Sequence, residues 1–91
     1  MSSGVTVLKF TSPTCGPCRT IAPSLEAMME DYPNVNWVEV NTKDDREGYV
    51  DKYRVTVVPT LVFLKGTTEI ARHTGANVGT FYTLLRKALA A

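Results

Sequence analysis

The spacing of hydrophobic positions changes several times along this 91-residue chain, and each change marks an element. Val5-Thr6-Val7-Leu8-Lys9-Phe10 is a short run, apolar on both faces except for one lysine. Such a run predicts a strand in the middle of a parallel sheet. From about Cys15 to Tyr32 the interval lengthens. Ile21, Leu25, Met28, Met29 and Tyr32 recur at roughly 3.6-residue spacing, which predicts a helix. Pro23 lies inside it, lacks an N–H and is expected to kink it. Pro33-Asn34 stops it. Asn36 to Asn41 reads as a second strand, with Trp37 and Val38 on opposite faces. Asp44-Asp45-Arg46-Glu47 predicts the start of a short second helix, with acids in the first turn where the helix dipole favours them. Val50 and Tyr53 are its expected buried contacts. Thr60-Leu61-Val62-Phe63-Leu64 is a third strand, entered through Pro59. Lys65-Gly66-Thr67-Thr68 makes a tight turn, and Glu69 to Thr74 return antiparallel until Gly75 ends the strand. Asn77 is placed to cap a last helix whose core face is Phe81, Leu84, Leu85, Ala88 and Leu89.

The order is therefore βαβαββα. It describes an α/β domain with a four-stranded mixed sheet flanked by three helices. The first two strands are parallel, joined by a right-handed crossover through the first helix. The final hairpin adds an antiparallel edge. Residues 1–91 make a single domain, which buries only ~60–65% of its unfolded surface.

Composition narrows the function classes. The chain is 44% hydrophobic and 21% charged, with a formal charge of +1. No basic patch points to nucleic acid, and no acidic tail points to disorder. No segment approaches the ~20 apolar residues of a membrane span. Met1-Ser2-Ser3-Gly4 carries no positive region of a secretory signal. A soluble, cytoplasmic, monomeric protein is expected. In that compartment thiols are held reduced, so a lone cysteine pair reads as catalytic rather than structural.

That pair is Cys15 and Cys18, the only cysteines, in Thr14-Cys15-Gly16-Pro17-Cys18. Two intervening residues at the first turn of a helix let the sulfurs reach disulfide distance. A C-x-x-C between a strand and the following helix reads as a redox motif. Cys15, at the helix N-terminus, is the expected attacking thiol, since unsatisfied N–H groups and the dipole favour its thiolate. Cys18, one turn in, is expected to resolve the mixed disulfide. Pro17 is tolerated in the first turn and stiffens the loop. One C-x-x-C and the single His73 do not close a four-ligand zinc site within one chain, so no metal is expected. No flavin or dinucleotide fingerprint is present, so no bound cofactor is expected beyond the Cys15–Cys18 couple. Trp37 is expected in the core and His73 half-exposed on the edge strand.

The chain resembles the thioredoxin family. The resemblance rests on Cys15-Gly16-Pro17-Cys18-Arg19, Ile21-Ala22-Pro23, Val58-Pro59-Thr60, Lys65-Gly66 and Gly75, in the right order and at close to the right distances. It covers nearly the whole chain, in a minimal form without the family's extra N-terminal strand and helix. The resemblance implies a thioredoxin fold and reduction of protein disulfides by dithiol exchange, recharged by a thioredoxin reductase or another thiol donor. It implies a cis bond before Pro59. It also implies a substrate groove built from Thr14, Gly16, Pro17, Val58, Pro59 and Gly75, in which the Val58 backbone pairs with the substrate's extended chain. The sequence departs from the family at several positions. Lys9 stands where an Asp is usual and Glu39 where a Lys is common, which suggests a partly buried Lys9–Glu39 pair beside Cys18. Thr14 and Thr11 replace aromatics, with Thr14 available to cap the helix or bond near the Cys15 sulfur. Val57 replaces a frequent Gly and narrows the groove. Two other readings are a glutathione-dependent, glutaredoxin-like reductase, and a thioredoxin-fold binding module whose cysteines are incidental.

Overall fold

A computed structural model describes residues 3–91. The elements follow the expected order: β1 (Val5–Thr11), α1 (Gly16–Asp31), β2 (Asn36–Asn41), α2 (Tyr49–Lys52), β3 (Thr60–Lys65), β4 (Thr68–Thr74) and α3 (Val78–Ala90). The four strands form one sheet in the order β2-β1-β3-β4. β1 is parallel to β2 and antiparallel to β3, and β3 is antiparallel to β4. The sheet is thus mixed, and its two central strands are the most apolar stretches of the chain.

Strand alternation sorts the core into two layers. Val5 and Val7 of β1 and Leu61 and Phe63 of β3 face α1 and α3, where they meet Ile21, Leu25, Met28, Phe81, Leu85 and Ala88. Leu8, Phe10, Val62 and Leu64 face the other way and pack with Val40 and Val55 beneath Tyr49, Val50 and Tyr53. Two buried faces explain why β1 and β3 read as continuous apolar runs. Trp37 and Val38 do point to opposite layers. The Trp37 indole N–H donates to the Tyr32 carbonyl at 3.1 Å, satisfying its polar edge while the ring packs.

Helix ends account for local differences from the sequence reading. α1 is continuous through Pro23, with Cys15 as its N-cap and Tyr32 as its C-cap. The Asn77 carboxamide accepts from the Thr80 N–H at 3.1 Å and caps α3, as its residue type predicts. The second helix begins later than expected. Asp44 to Glu47 are not its first turn: the helix starts at Tyr49, after Gly48 in the left-handed region at φ 73°. The Asp45 carboxylate instead reaches forward and accepts from the Tyr49 and Val50 N–H groups at 3.1 and 2.7 Å. The acid still serves the helix N-terminus, but from outside it. β3 and β4 each run one residue further into the turn than predicted, and a register shift lies between Phe63 and Leu64.

On β4 the Arg72 guanidinium grips Glu69 with two 2.7 Å bonds. The hydrogen bond from Arg72 holds the Glu69 carboxyl below its usual 4.5, with a smaller contribution from its charge, against the opposing effect of burial. A depressed folded-state value contributes stability above the unfolded value and loses it as pH falls through the folded one. Arg72→Ala is therefore expected to cost less than ~1 kcal/mol at neutral pH, the pair being solvent-facing. Thermal unfolding across pH checks this. The gap to the parent closes in acid, and a gap that persists there contradicts the assignment.

Candidate redox site

The site forms where the C-terminal end of β1 turns into α1. The Cys15 N–H donates to the Ser12 carbonyl at 3.2 Å, which closes the turn. Ser12 is buried, and its hydroxyl bonds to the Thr14 hydroxyl at 3.1 Å and accepts from the Thr14 N–H at 3.3 Å. Thr14 is thereby committed to the turn. It neither caps the helix nor bonds the cysteine sulfur. The cap is Cys15 itself, with extended backbone at φ −90° and ψ 110°, followed by Gly16 and Pro17 in the first turn. The Cys18 N–H donates to the Cys15 Sγ at 3.1 Å. The Cys15 sulfur thus receives one of the helix's unsatisfied donors, and no acidic side chain lies in the first turn to oppose a negative charge there.

Cys15 and Cys18 are joined as a disulfide, with their Cα atoms 5.3 Å apart. Their exposure differs: Cys15 is half-exposed, whereas Cys18 is only 8% exposed. Of the two sulfur-bearing residues, Cys15 is the more open to solvent. Gly16 and Pro17 are exposed beside it, and Arg19 turns its guanidinium back to the Pro13 carbonyl at 2.7 Å.

The Val57–Thr60 loop forms the facing wall. The Val58–Pro59 peptide bond is cis, as the resemblance implied. Pro59 lines a small cavity together with Cys18. The Gly75 N–H donates to the Pro59 carbonyl at 2.9 Å, which ties the end of β4 to this loop. Gly75 has φ 118°, a conformation that side-chain-bearing residues rarely adopt, so its glycine has a backbone reason. Val57 is 54% exposed, the one large hydrophobic residue so exposed among the described residues. The backbone N–H and C=O of Val58 make no hydrogen bond to another described residue. That leaves them available to an extended chain.

The roles of three residues near the site were not read from the sequence. Thr60 is fully buried, and its hydroxyl donates to the Val57 carbonyl at 2.6 Å and pairs with the Thr74 hydroxyl at 2.8 Å. It fastens the cis-proline loop to β4. The signal was a threonine opening an otherwise apolar strand. Ser12 and Met29 are the others: nothing in its spacing marks Ser12, and Met29 read only as a position on the apolar face of the first helix.

The expected Lys9–Glu39 ion pair is absent. The two residues are neighbours in the β1–β2 register, yet Glu39 is exposed on the edge strand and keeps its carboxylate in water. Desolvating both charges would cost more than the pairing returns. The Lys9 ammonium instead donates to the Met29 thioether at 3.5 Å. His73 stacks edge-on against Phe81 at 5.5 Å between ring centres. No group of three or more His, Cys, Asp or Glu among the described residues is arranged to hold a metal ion.

The chain is similar in sequence and fold to known proteins. The family model described as Thioredoxin matches residues 1–87. A thioredoxin from Echinococcus granulosus is 39% identical over 71 residues, covering 78% of this chain and 65% of that protein. A thioredoxin from Chlamydia pneumoniae is 33% identical over 85 residues, covering 93% of this chain and 82% of that one. The X-ray structure of Fasciola hepatica thioredoxin superposes with a TM-score of 0.87 at 34% identity, over 96% of this chain and 83% of the other. With its fold, its cysteine pair and its cis-proline loop all in place, the chain belongs to the thioredoxin family.

Proposed function

We propose that this protein is a thiol–disulfide oxidoreductase that reduces disulfides in other proteins. One observation carries the reading: a half-exposed Cys15 sulfur caps α1, one turn from a buried Cys18 to which it is bonded. In the reduced form the Cys15 thiolate attacks one sulfur of a substrate disulfide. The substrate S–S bond breaks, a Cys15–substrate bond forms, and the departing thiolate takes a proton. Cys18 then attacks the Cys15 sulfur, re-forming the Cys15–Cys18 disulfide and releasing the second substrate thiol. The substrate gains two electrons and two protons. An external thiol donor, such as a thioredoxin reductase, returns the protein to the dithiol.

Thr14, Gly16, Pro17 and Gly75 border the substrate, and the open backbone of Val58 beside Pro59 receives its chain as an added strand. Exposed Val57 supplies an apolar contact next to that strand. The protein works as a soluble cytoplasmic monomer without a bound cofactor. No helix of the described residues is long and apolar enough to cross a membrane.

The test compares two substrates. Reduction of an oxidised protein with a thioredoxin reductase as donor is expected to turn over. Reduction of a glutathione mixed disulfide by glutathione alone is expected not to. The reverse pattern selects the glutaredoxin-like alternative. Turnover in neither, with partner binding lost in Pro59 variants but kept in Cys15→Ser, selects the binding module.

A further inference from the structure

Lys9 and Met29 meet across the seam between β1 and α1. Lys9 continues the Val5–Val7 side of β1, the side that α1 covers. It is half-buried, and its ammonium carries three donors. One donor points at the Met29 sulfur at 3.5 Å, the only hydrogen bond it makes to a described residue. No carboxylate among the described residues pairs with it. A thioether is a weak acceptor, and so a poor partner for a charge that has given up part of its water.

Met29 also stands apart among the sulfurs. Cys15 and Cys18 are bonded to each other, and Met28 is fully buried. Met29 is half-buried, so solvent and small solutes reach its side chain. In the disulfide form it is the one described residue that combines a sulfur outside the disulfide with exposure to solvent.

We propose that Met29 is a reversible oxidation site, converted to the sulfoxide by a hydroperoxide, and that the Lys9 ammonium holds the new oxygen. With hydrogen peroxide, a sulfur lone pair attacks one oxygen and the S–O bond forms. The O–O bond breaks, and the second oxygen leaves with its electron pair and takes the proton of the first, giving water. Sulfur loses two electrons and the peroxide gains them. A sulfoxide is polar and ordinarily disrupts apolar packing. Here it meets a donor already in place. The unbranched methionine side chain turns about its torsions to bring the oxygen to the ammonium. The weak N–H···S contact becomes a charge-assisted bond to oxygen. The link between β1 and α1, which meet at the cysteine turn, is thereby strengthened. A methionine sulfoxide reductase restores the thioether. The cysteines take no part in this step, so the inference stands apart from the dithiol reading.

The test uses the full chain in its disulfide form, where no described thiol competes for oxidant. After treatment with dilute hydrogen peroxide, peptide mass mapping is expected to show one added oxygen at Met29. It appears there at least roughly tenfold faster than at Met28, which is reached only when the fold opens. The oxidised protein is expected to melt within about 2 °C of the untreated protein, or above it. In Lys9→Leu the same oxidation is expected to lower the melting temperature by about 4–8 °C, since the sulfoxide then lacks its charged donor. Met29→Gln supplies an amide oxygen in place of the sulfoxide oxygen and needs no oxidant. Its effect on the melting temperature is expected to be at least about 4 °C more unfavourable in the Lys9→Leu background than in the parent. Oxidation of Met28 ahead of Met29, equal melting shifts with and without Lys9, or additive Met29→Gln and Lys9→Leu effects would overturn the proposal.

Discussion

A Cys18→Ser protein is expected to accumulate as a covalent adduct with its substrate, whereas Cys15→Ser is expected to form none. The asymmetry follows from burial. Cys15 is half-exposed and receives the Cys18 N–H, while Cys18 lies under the helix start at 8% exposure. Removing the inner sulfur leaves the first attack intact, so the mixed disulfide forms at close to its normal rate and then persists. Removing the outer sulfur leaves an inaccessible one that no bulky substrate reaches. Both variants lose steady-state turnover, by roughly a thousandfold or more, because the two residues act as a unit. Intact-mass analysis after mixing each reduced variant with an oxidised protein separates the cases. An adduct on Cys18 in the Cys15→Ser protein would reverse the assignment.

The second large effect concerns the sheet that carries the site. Phe63→Ala is expected to cost about 3–5 kcal/mol. Phe63 is fully buried in β3, between Val7 of β1 and Ala71 of β4, on the face that α1 and α3 cover. No helix can close over the gap without moving off the strands that fix it. A domain of this size has about 5–15 kcal/mol in all. The melting temperature should fall by more than ~12 °C. Chemical denaturation of the oxidised protein measures it. A loss below about 1 kcal/mol would mean that the core relaxes into the space, against the close packing that interiors show.

The contrast between Phe63 and Lys9 shows what the sequence conveyed. β1 and β3 were legible because both of their faces are buried, so hydrophobicity alone marks them. α1 and α3 were legible because one stripe of each faces the sheet, as Ile21, Leu25 and Met28 show for α1. The cysteine pair was legible because the chemistry requires two sulfurs at fixed spacing before a helix. Other features depended on what lies next to a residue in space. Asp44 to Glu47 have the composition of a helix start, yet Gly48 turns left-handed and displaces the start to Tyr49. Lys9 and Glu39 are in register, yet an edge strand lets Glu39 remain hydrated. Thr60 looked like any strand residue until its hydroxyl was seen joining the Val57 carbonyl to Thr74. In each case a neighbour distant in sequence, or the solvent, decides the outcome.

The central claim is that the N-terminus of α1 makes Cys15 the nucleophile, and the most direct measurement is the rate of alkylation of each cysteine in the reduced protein as a function of pH. Cys15 is expected to be modified first, with a midpoint below the ordinary thiol value of about 8.5. A midpoint at or above that value, or faster modification of Cys18, would contradict it.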